Sequence, residues 1–172
     1  LKINLNAKDD YCQTAFHLAC RNGHSDIAEI ILKNSSDLKI DLNIEDNNDG
    51  TAFHGACGNG HSEIAEMIMK KSSELQIDLN IKDYNGSSAF HLACSDGRLE
   101  TAEMIQKNLL EVKIDLKSKD YFGRTAFHLA CLNGRVKIVD MMIEQSEKFD
   151  LRAEDHHLNI KYSDGWTVFQ RA

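Results

Sequence analysis

The sequence predicts an all-α solenoid of stacked helix–turn–helix units with short β-turn fingers. Three observations lead there. First, Thr14-Ala15-Phe16-His17-Leu18-Ala19-Cys20 returns as Thr51 to Cys57, Ser88 to Cys94 and Thr125 to Cys131. The starts at 14, 51, 88 and 125 lie 37 residues apart, and a fixed period of about 20–50 residues marks a repeat array. Second, each period carries two stretches of helical apolar spacing, separated by a glycine at Gly23, Gly60, Gly97 and Gly134. Third, each period closes on an alternating run and a turn. Such an array has no single core, only interfaces between neighbours.

Leu1 to Asp10 repeats the run from Leu38 to Asn47, so the chain opens on the tail of an earlier unit. Thr14 is placed to cap the first helix. His17 follows three residues later, where a capping box carries Glu or Gln, and its ring can bond back to the hydroxyl or the backbone. Phe16, Ala19 and Cys20 share one face at i, i+3, i+4. Ala and Cys are small, so another helix can come close. Gly23 supplies the left-handed residue that ends the helix. A second helix follows from about Ser25 to Asn34, with Ile27, Ala28, Ile31 and Leu32 as its buried face. Asp26 and Glu29 lie early in it, toward solvent. Leu38, Ile40, Leu42 and Ile44 then alternate with polar residues, and Leu75, Ile77, Leu79 and Ile81 copy them, which reads as an extended segment. Asp83-Tyr84-Asn85-Gly86 and Asp120-Tyr121-Phe122-Gly123 read as tight turns.

Composition removes several functions. The chain has 172 residues and a net charge of -7, from 27 acidic and 20 basic side chains. That balance argues against a nucleic-acid surface, which needs clustered Lys and Arg. No apolar run approaches the roughly 20 residues of a membrane span, so no membrane insertion is expected. There are five cysteines and no proline. Four cysteines occupy one repeat position, so none pairs naturally with another, which points to a reduced, intracellular protein of the cytoplasm. The triplets Asn34-Ser35-Ser36 and Asn85-Gly86-Ser87 have glycosylation form, but chance supplies such triplets easily.

Two chemical readings of the motif compete with a structural one. His17, Cys20 and His24 offer soft ligands that could begin a zinc site. A Cys–His pair could also form a nucleophile, given an exposed thiol of lowered pKa. Against both, the histidine has a capping role and the cysteine lies on the buried stripe, where it acts as a small hydrophobe. Four equivalent catalytic pairs would also be strange. No glycine cluster forms a phosphate loop, so no cofactor is expected.

The turn Asp-x-x-Gly-x-Thr, then Thr-x-x-His-x-Ala, then Gly-His and the second helix resemble the ankyrin repeat. The resemblance covers nearly the whole chain. It implies L-shaped units with an inner helix, an outer helix and a projecting finger, and a concave groove of fingers and inner helices. It also implies a protein-recognition or scaffolding module without catalysis. The chain departs from the family at three points. The unit of 37 residues exceeds the family's usual length of about 33. The surplus falls at Ser35 to Ile40 and implies a longer outer helix or a longer approach to the finger. Ala replaces the usual Pro after Thr. Cys12 and Asp49 stand where Gly86 and Gly123 stand, so the first two fingertips are expected to turn differently, Asp tolerating the left-handed region better than Cys.

The single domain therefore divides into a tail at 1–10, repeats at 11–47, 48–84, 85–121 and 122–158, and a partial fifth unit at 159–172. The period breaks past Lys148, with an insertion around Ala153 to Leu158 that holds His156 and His157. Positions that differ between repeats are free to recognise a partner. On the fingers these are Tyr11, Asn48, Tyr84, Asn85, Tyr121 and Phe122, with Gln13 and Arg124 just beyond. On the inner helices they are Arg21, Asn59, Asp96 and Leu132. Aromatic residues and Arg are preferred interface anchors. The expected partner is another protein. A spacer with no ligand of its own is the competing reading, and a metal-binding module the third. The apolar ends, Leu1-Ile3-Leu5 and Trp166-Val168-Phe169, leave end-to-end self-association open.

Overall fold

A computed structural model describes residues 4–109 and 112–145. Eight helices pair along them: α1 (Ala15–Asn22) with α2 (Ser25–Leu38), α3 (Ala52–Asn59) with α4 (Ser62–Leu75), α5 (Ala89–Ser95) with α6 (Leu99–Lys107), and α7 (Ala126–Leu132) with α8 (Val136–Glu144). Odd-numbered helices stack on one another as an inner row, and even-numbered ones as an outer row. No strand occurs among the described residues. The architecture is an all-α repeat solenoid. The fifth unit and the insertion before it lie outside the described residues.

Each inner helix starts on the Thr/Ser–His pair. Thr14 N–H donates to His17 Nδ1 at 3.2 Å, and Thr14 Oγ1 lies 2.9 Å from the same nitrogen. Thr51 with His54, Ser88 with His91 and Thr125 with His128 repeat it. Gly23 and Gly60 end α1 and α3 at φ 75° and 83°. In the third and fourth units Asp96 and Asn133 take the cap, and Gly97 and Gly134 follow in the left-handed region. A Cβ on Gly23 would also stand 2.6 Å from the His61 ring, which would have to shift. His61 reaches back to the Arg21 carbonyl at 3.0 Å, as Arg98 does to Gly58 (2.9 Å) and Arg135 to Ser95 (2.8 Å). The freed carbonyls at each inner-helix end are thereby partly satisfied by the next unit.

Phe16, Ala19 and Cys20 are buried, as are Phe53, Ala56, Cys57, Phe90, Ala93 and Cys94. The outer helix departs from expectation. Ile27 is 49% exposed, although its equivalent Ile64 is fully buried. Ile64 lies on α4, between α2 and α6, whereas α2 packs on α4 and its own α1. Ile31 is half-buried, and Ala28 and Leu32 are buried.

The surplus residues extend the outer helix. α2 and α4 run 14 residues each, so Ser35 to Leu38 form an extra turn, closed by left-handed Lys39 at φ 53°. Leu38 therefore belongs to α2 and is 57% exposed, not part of an extended segment. Beyond it the chain is irregular and held by side-chain amides. Asn6 Nδ2 donates to the Lys39 carbonyl (3.0 Å), Asn43 to Gln76 (2.9 Å) and Asn80 to Lys113 (2.6 Å). Leu42, Ile77 and Leu79 point inward from this run and are buried.

Candidate functional site

Each finger is built on an aspartate. Asp9 Oδ1 accepts from the Tyr11 and Gln13 amides at 2.9 and 2.8 Å. Asp46 does the same for Asn48 and Gly50, Asp83 for Asn85 and Ser87, and Asp120 for Phe122 and Arg124. All four turns have the same hand. Cys12 and Asp49 adopt φ 59° and 55°, beside 77° and 76° at Gly86 and Gly123. The expectation of two different fingertips is thus corrected: the aspartate bonds impose one turn and the side chains at Cys12 and Asp49 follow it.

The fingers are joined to one another. Asn47 N–H donates to the Tyr11 carbonyl (3.1 Å), Tyr84 to Asn48 (2.9 Å) and Tyr121 to Asn85 (2.9 Å). A row of turns bonded at the backbone holds its side chains in fixed relation. From this row Tyr11 (70%), Tyr84 (59%), Tyr121 (72%) and Phe122 (65%) stand exposed. The Tyr121 ring also lies over Gly86, close enough that a Cβ there would stand 2.6 Å from it.

Two residues singled out from the sequence as exposed are not free anchors. Gln13 is buried, and its Nε2 donates to Asp46 Oδ2 at 3.3 Å. Arg124 is half-buried. Its Nε donates to Asp120 Oδ2 at 2.7 Å, and its guanidinium carbon lies 4.5 Å from the Phe122 ring centre. Both residues brace fingers from beneath.

Between the fingers and the inner helices of the first three units lies a cleft of about 440 Å³. Arg21, Asn48, Asn59, Tyr84, Asn85 and Asp96 converge on it, and Gln13 lies in its wall. Tyr11, Tyr121, Phe122, Arg124 and Leu132 are not among its lining residues. Gly55, Asp83, Asp46, Leu92, Arg98 and the buried Thr51, His17 and His54 also line it, and sequence reasoning did not place them on the partner surface. For Gly55 a signal was present, because the second unit carries Gly50, Gly55 and Gly58 where its neighbours carry other residues.

A family model described as ankyrin repeats (3 copies) matches residues 1–83 and 74–155. The chain belongs to the ankyrin-repeat family. Ankyrin repeats are generally protein–protein interaction modules and are typically non-enzymatic. A search of curated proteins returns no match.

The chemistry of this ankyrin chain's motif is that of a scaffold. His17, His54 and His91 have lowered pKa values, with burial as the leading cause. Nδ1 of each accepts the capping amide, and Nε2 of His54 and His91 donates to the Ser87 and Arg124 carbonyls at 3.2 Å. Both rings are therefore neutral and carry their proton on Nε2. Burial pushes the thiols of Cys20, Cys57 and Cys94 up strongly, away from the thiolate a nucleophile needs. Cys131 departs from the expected burial: it is half-buried, and its thiol is pushed up to about 11. Among the described residues no three His, Cys, Asp or Glu side chains converge as metal ligands. No helix there is long and apolar enough to cross a membrane.

Proposed function

We propose that this ankyrin domain recognises a partner protein along the fingertip row and the inner-helix groove, with Tyr84, Tyr121 and Phe122 as apolar anchors. The observation that carries this reading is the exposure of these rings on fingers locked to each other through their backbones. A preorganised row loses little further freedom on binding, so the apolar area it buries is converted more fully into affinity. Arg21, Asn48, Asn59, Asn85 and Asp96 supply the polar contacts around the cleft, and Tyr11 and Leu132 extend the surface at its ends. Gln13 and Arg124 contribute by holding Asp46, Asp120 and Phe122 in place. The opposite face has other duties: Ser25 donates to Glu63 and Ser62 to Glu100, while Lys70 pairs with Glu66.

Proteins captured by the wild-type chain and by a variant with Tyr84, Tyr121 and Phe122 all replaced by Ala test the reading. Loss of a specific partner by the variant, at unchanged helicity, is expected. Hot-spot residues cost about 2 kcal/mol or more each and do not add simply. Normal capture by this variant, with loss on charge reversal at Glu63, Glu66 and Glu103, places recognition on the outer face instead.

A further inference from the structure

The third outer helix carries polar groups where its counterparts are apolar. Along α4 the buried face reads Ile64, Ala65, Ile68 and Met69. The same positions of α6 read Thr101, Ala102, Ile105 and Gln106, and all four are buried. Thr101 stands where the other units carry Ile27, Ile64 and Ile138, and Gln106 where they carry Leu32, Met69 and Ile143. Thr101 is fully buried, and its Oγ1 has no hydrogen-bond partner. A hydroxyl in that state has given up water for nothing, and it regains a partner as soon as the helix lifts into solvent. Gln106 is also buried, and its Nε2 donates to the side chain of Gln145, the residue that ends α8. Both residues also bring less apolar surface to the interface than Ile64 and Met69 bring from α4.

The same helix is short. It runs 9 residues, against 14 in α2 and α4. In those two helices Ser35 and Ser72 donate to the Leu32 and Met69 carbonyls, and left-handed Lys39 and Gln76 close the extra turn. Leu109 stands at the serine position of the third unit, and α6 has already ended at Asn108, with φ -91°. The inner row beneath shares none of this. α5 lies between α3 and α7 and starts on the Ser88–His91 pair like the other inner helices. Its Phe90, Ala93 and Cys94 are buried. The fingers on either side remain tied through Tyr84 to Asn48 and Tyr121 to Asn85.

We propose that α6 is a hinge of the outer row: it opens by itself, while α4 and the inner helix α5 stay closed and the fingers keep their register. An array is held by the stability of each unit and by its interfaces with its neighbours. One weakened outer interface therefore makes local opening easier than opening of the whole unit.

Hydrogen exchange of the whole chain at neutral pH, read by mass spectrometry, tests this. In the wild type the amides of α6 are expected to exchange faster than those of α4 by about tenfold or more, with α5 as well protected as α3. Thr101→Val together with Gln106→Met gives α6 the apolar face of its counterparts and should slow its exchange by about tenfold or more, leaving α4 and α5 unchanged. Thr101→Val alone keeps the shape of the side chain and removes only the unpaired hydroxyl, so it should act in the same direction if the double variant does not fold. The inference is overturned by wild-type α6 amides as well protected as those of α4, or by exchange of α5 and α6 in a single step. Exchange in Thr101→Val no slower than in wild type overturns it as well.

Discussion

The first and second units share one motif and differ in what lies beside them. Ile27 and Ile64 hold the same place, yet Ile27 is 49% exposed and Ile64 is fully buried. Ile30 is 62% exposed, while its counterpart Met67 is partly buried against the core. In a solenoid the energetic weight of a residue is set by its neighbouring units, not by its motif. The second unit, covered on both sides, therefore feels substitutions more strongly than the first.

The largest effect expected from this difference is at the isoleucines. Ile64→Ala should lower stability by about 2–5 kcal/mol, the range for a truncated core aliphatic that leaves a cavity. Ile27→Ala should cost about 0.5 kcal/mol or less, as surface substitutions do. Denaturant midpoints of the two variants measure the contrast. Equal losses would mean that the first unit is covered as well as the second.

Caps come next. Thr51→Val removes the hydroxyl beside His54 and should cost about 0.5–2 kcal/mol. A melting temperature equal to that of wild type would show that the hydroxyl has no such role.

A smaller effect of opposite sign is expected on the groove side. Leu18 is 40% exposed at the position that Gly55 occupies in the second unit. Gly55→Ala and Gly58→Ala should each raise stability by about 0.5–1 kcal/mol, the usual difference between these residues in a helix. Both replacements fit, since their Cβ atoms meet neighbours no closer than 3.4 Å. Circular-dichroism melts decide the point, and a destabilised double variant would show that the floor of the cleft has no spare room.

The parts of this fold legible in the sequence are those that every unit repeats. Thr14 with His17, the buried Cys20 and the helix-ending Gly23 follow from spacing alone, because their partners lie within a few residues. Ile27 was misplaced because its burial depends on a helix pair on its far side, which a motif does not report. Leu38 was misplaced because alternation continued through a helix end that Lys39 closes with a left-handed turn. The fingertips at Cys12 and Asp49 were misjudged because turn residues were weighed alone, while Asp9 and Asp46 fix the turn from below. Tyr84 and Phe122 were legible as candidates, being large side chains at positions that vary between units. Asp83 was not, because nothing in its own motif sets it apart from Asp9, Asp46 and Asp120.

The gentlest test of the comparison removes no atom. His17, His54 and His91 titrate below the ordinary histidine value, with burial the main cause in each. For His54, the Ser87 carbonyl and the Asp83 and Asp46 carboxylates pull the other way without overcoming burial. An unfolded chain takes up these protons near the unperturbed value of about 6.5, before the folded chain does. Stability should therefore be complete above about pH 6.5 and decline as pH falls below it, toward the lowered folded values. Protonation would also place a proton on Nδ1, which already accepts the Thr14, Thr51 or Ser88 amide, so the charged ring conflicts with the cap at the start of its own helix. Melting temperatures taken from about pH 7.5 to about pH 5, above the range where ordinary carboxylates dominate, read this out. A downward slope is expected, shallower in His54→Gln than in wild type. A flat profile in wild type would mean that the three rings bind protons equally well folded and unfolded, and that the neutral capping ring is not what starts the inner helices.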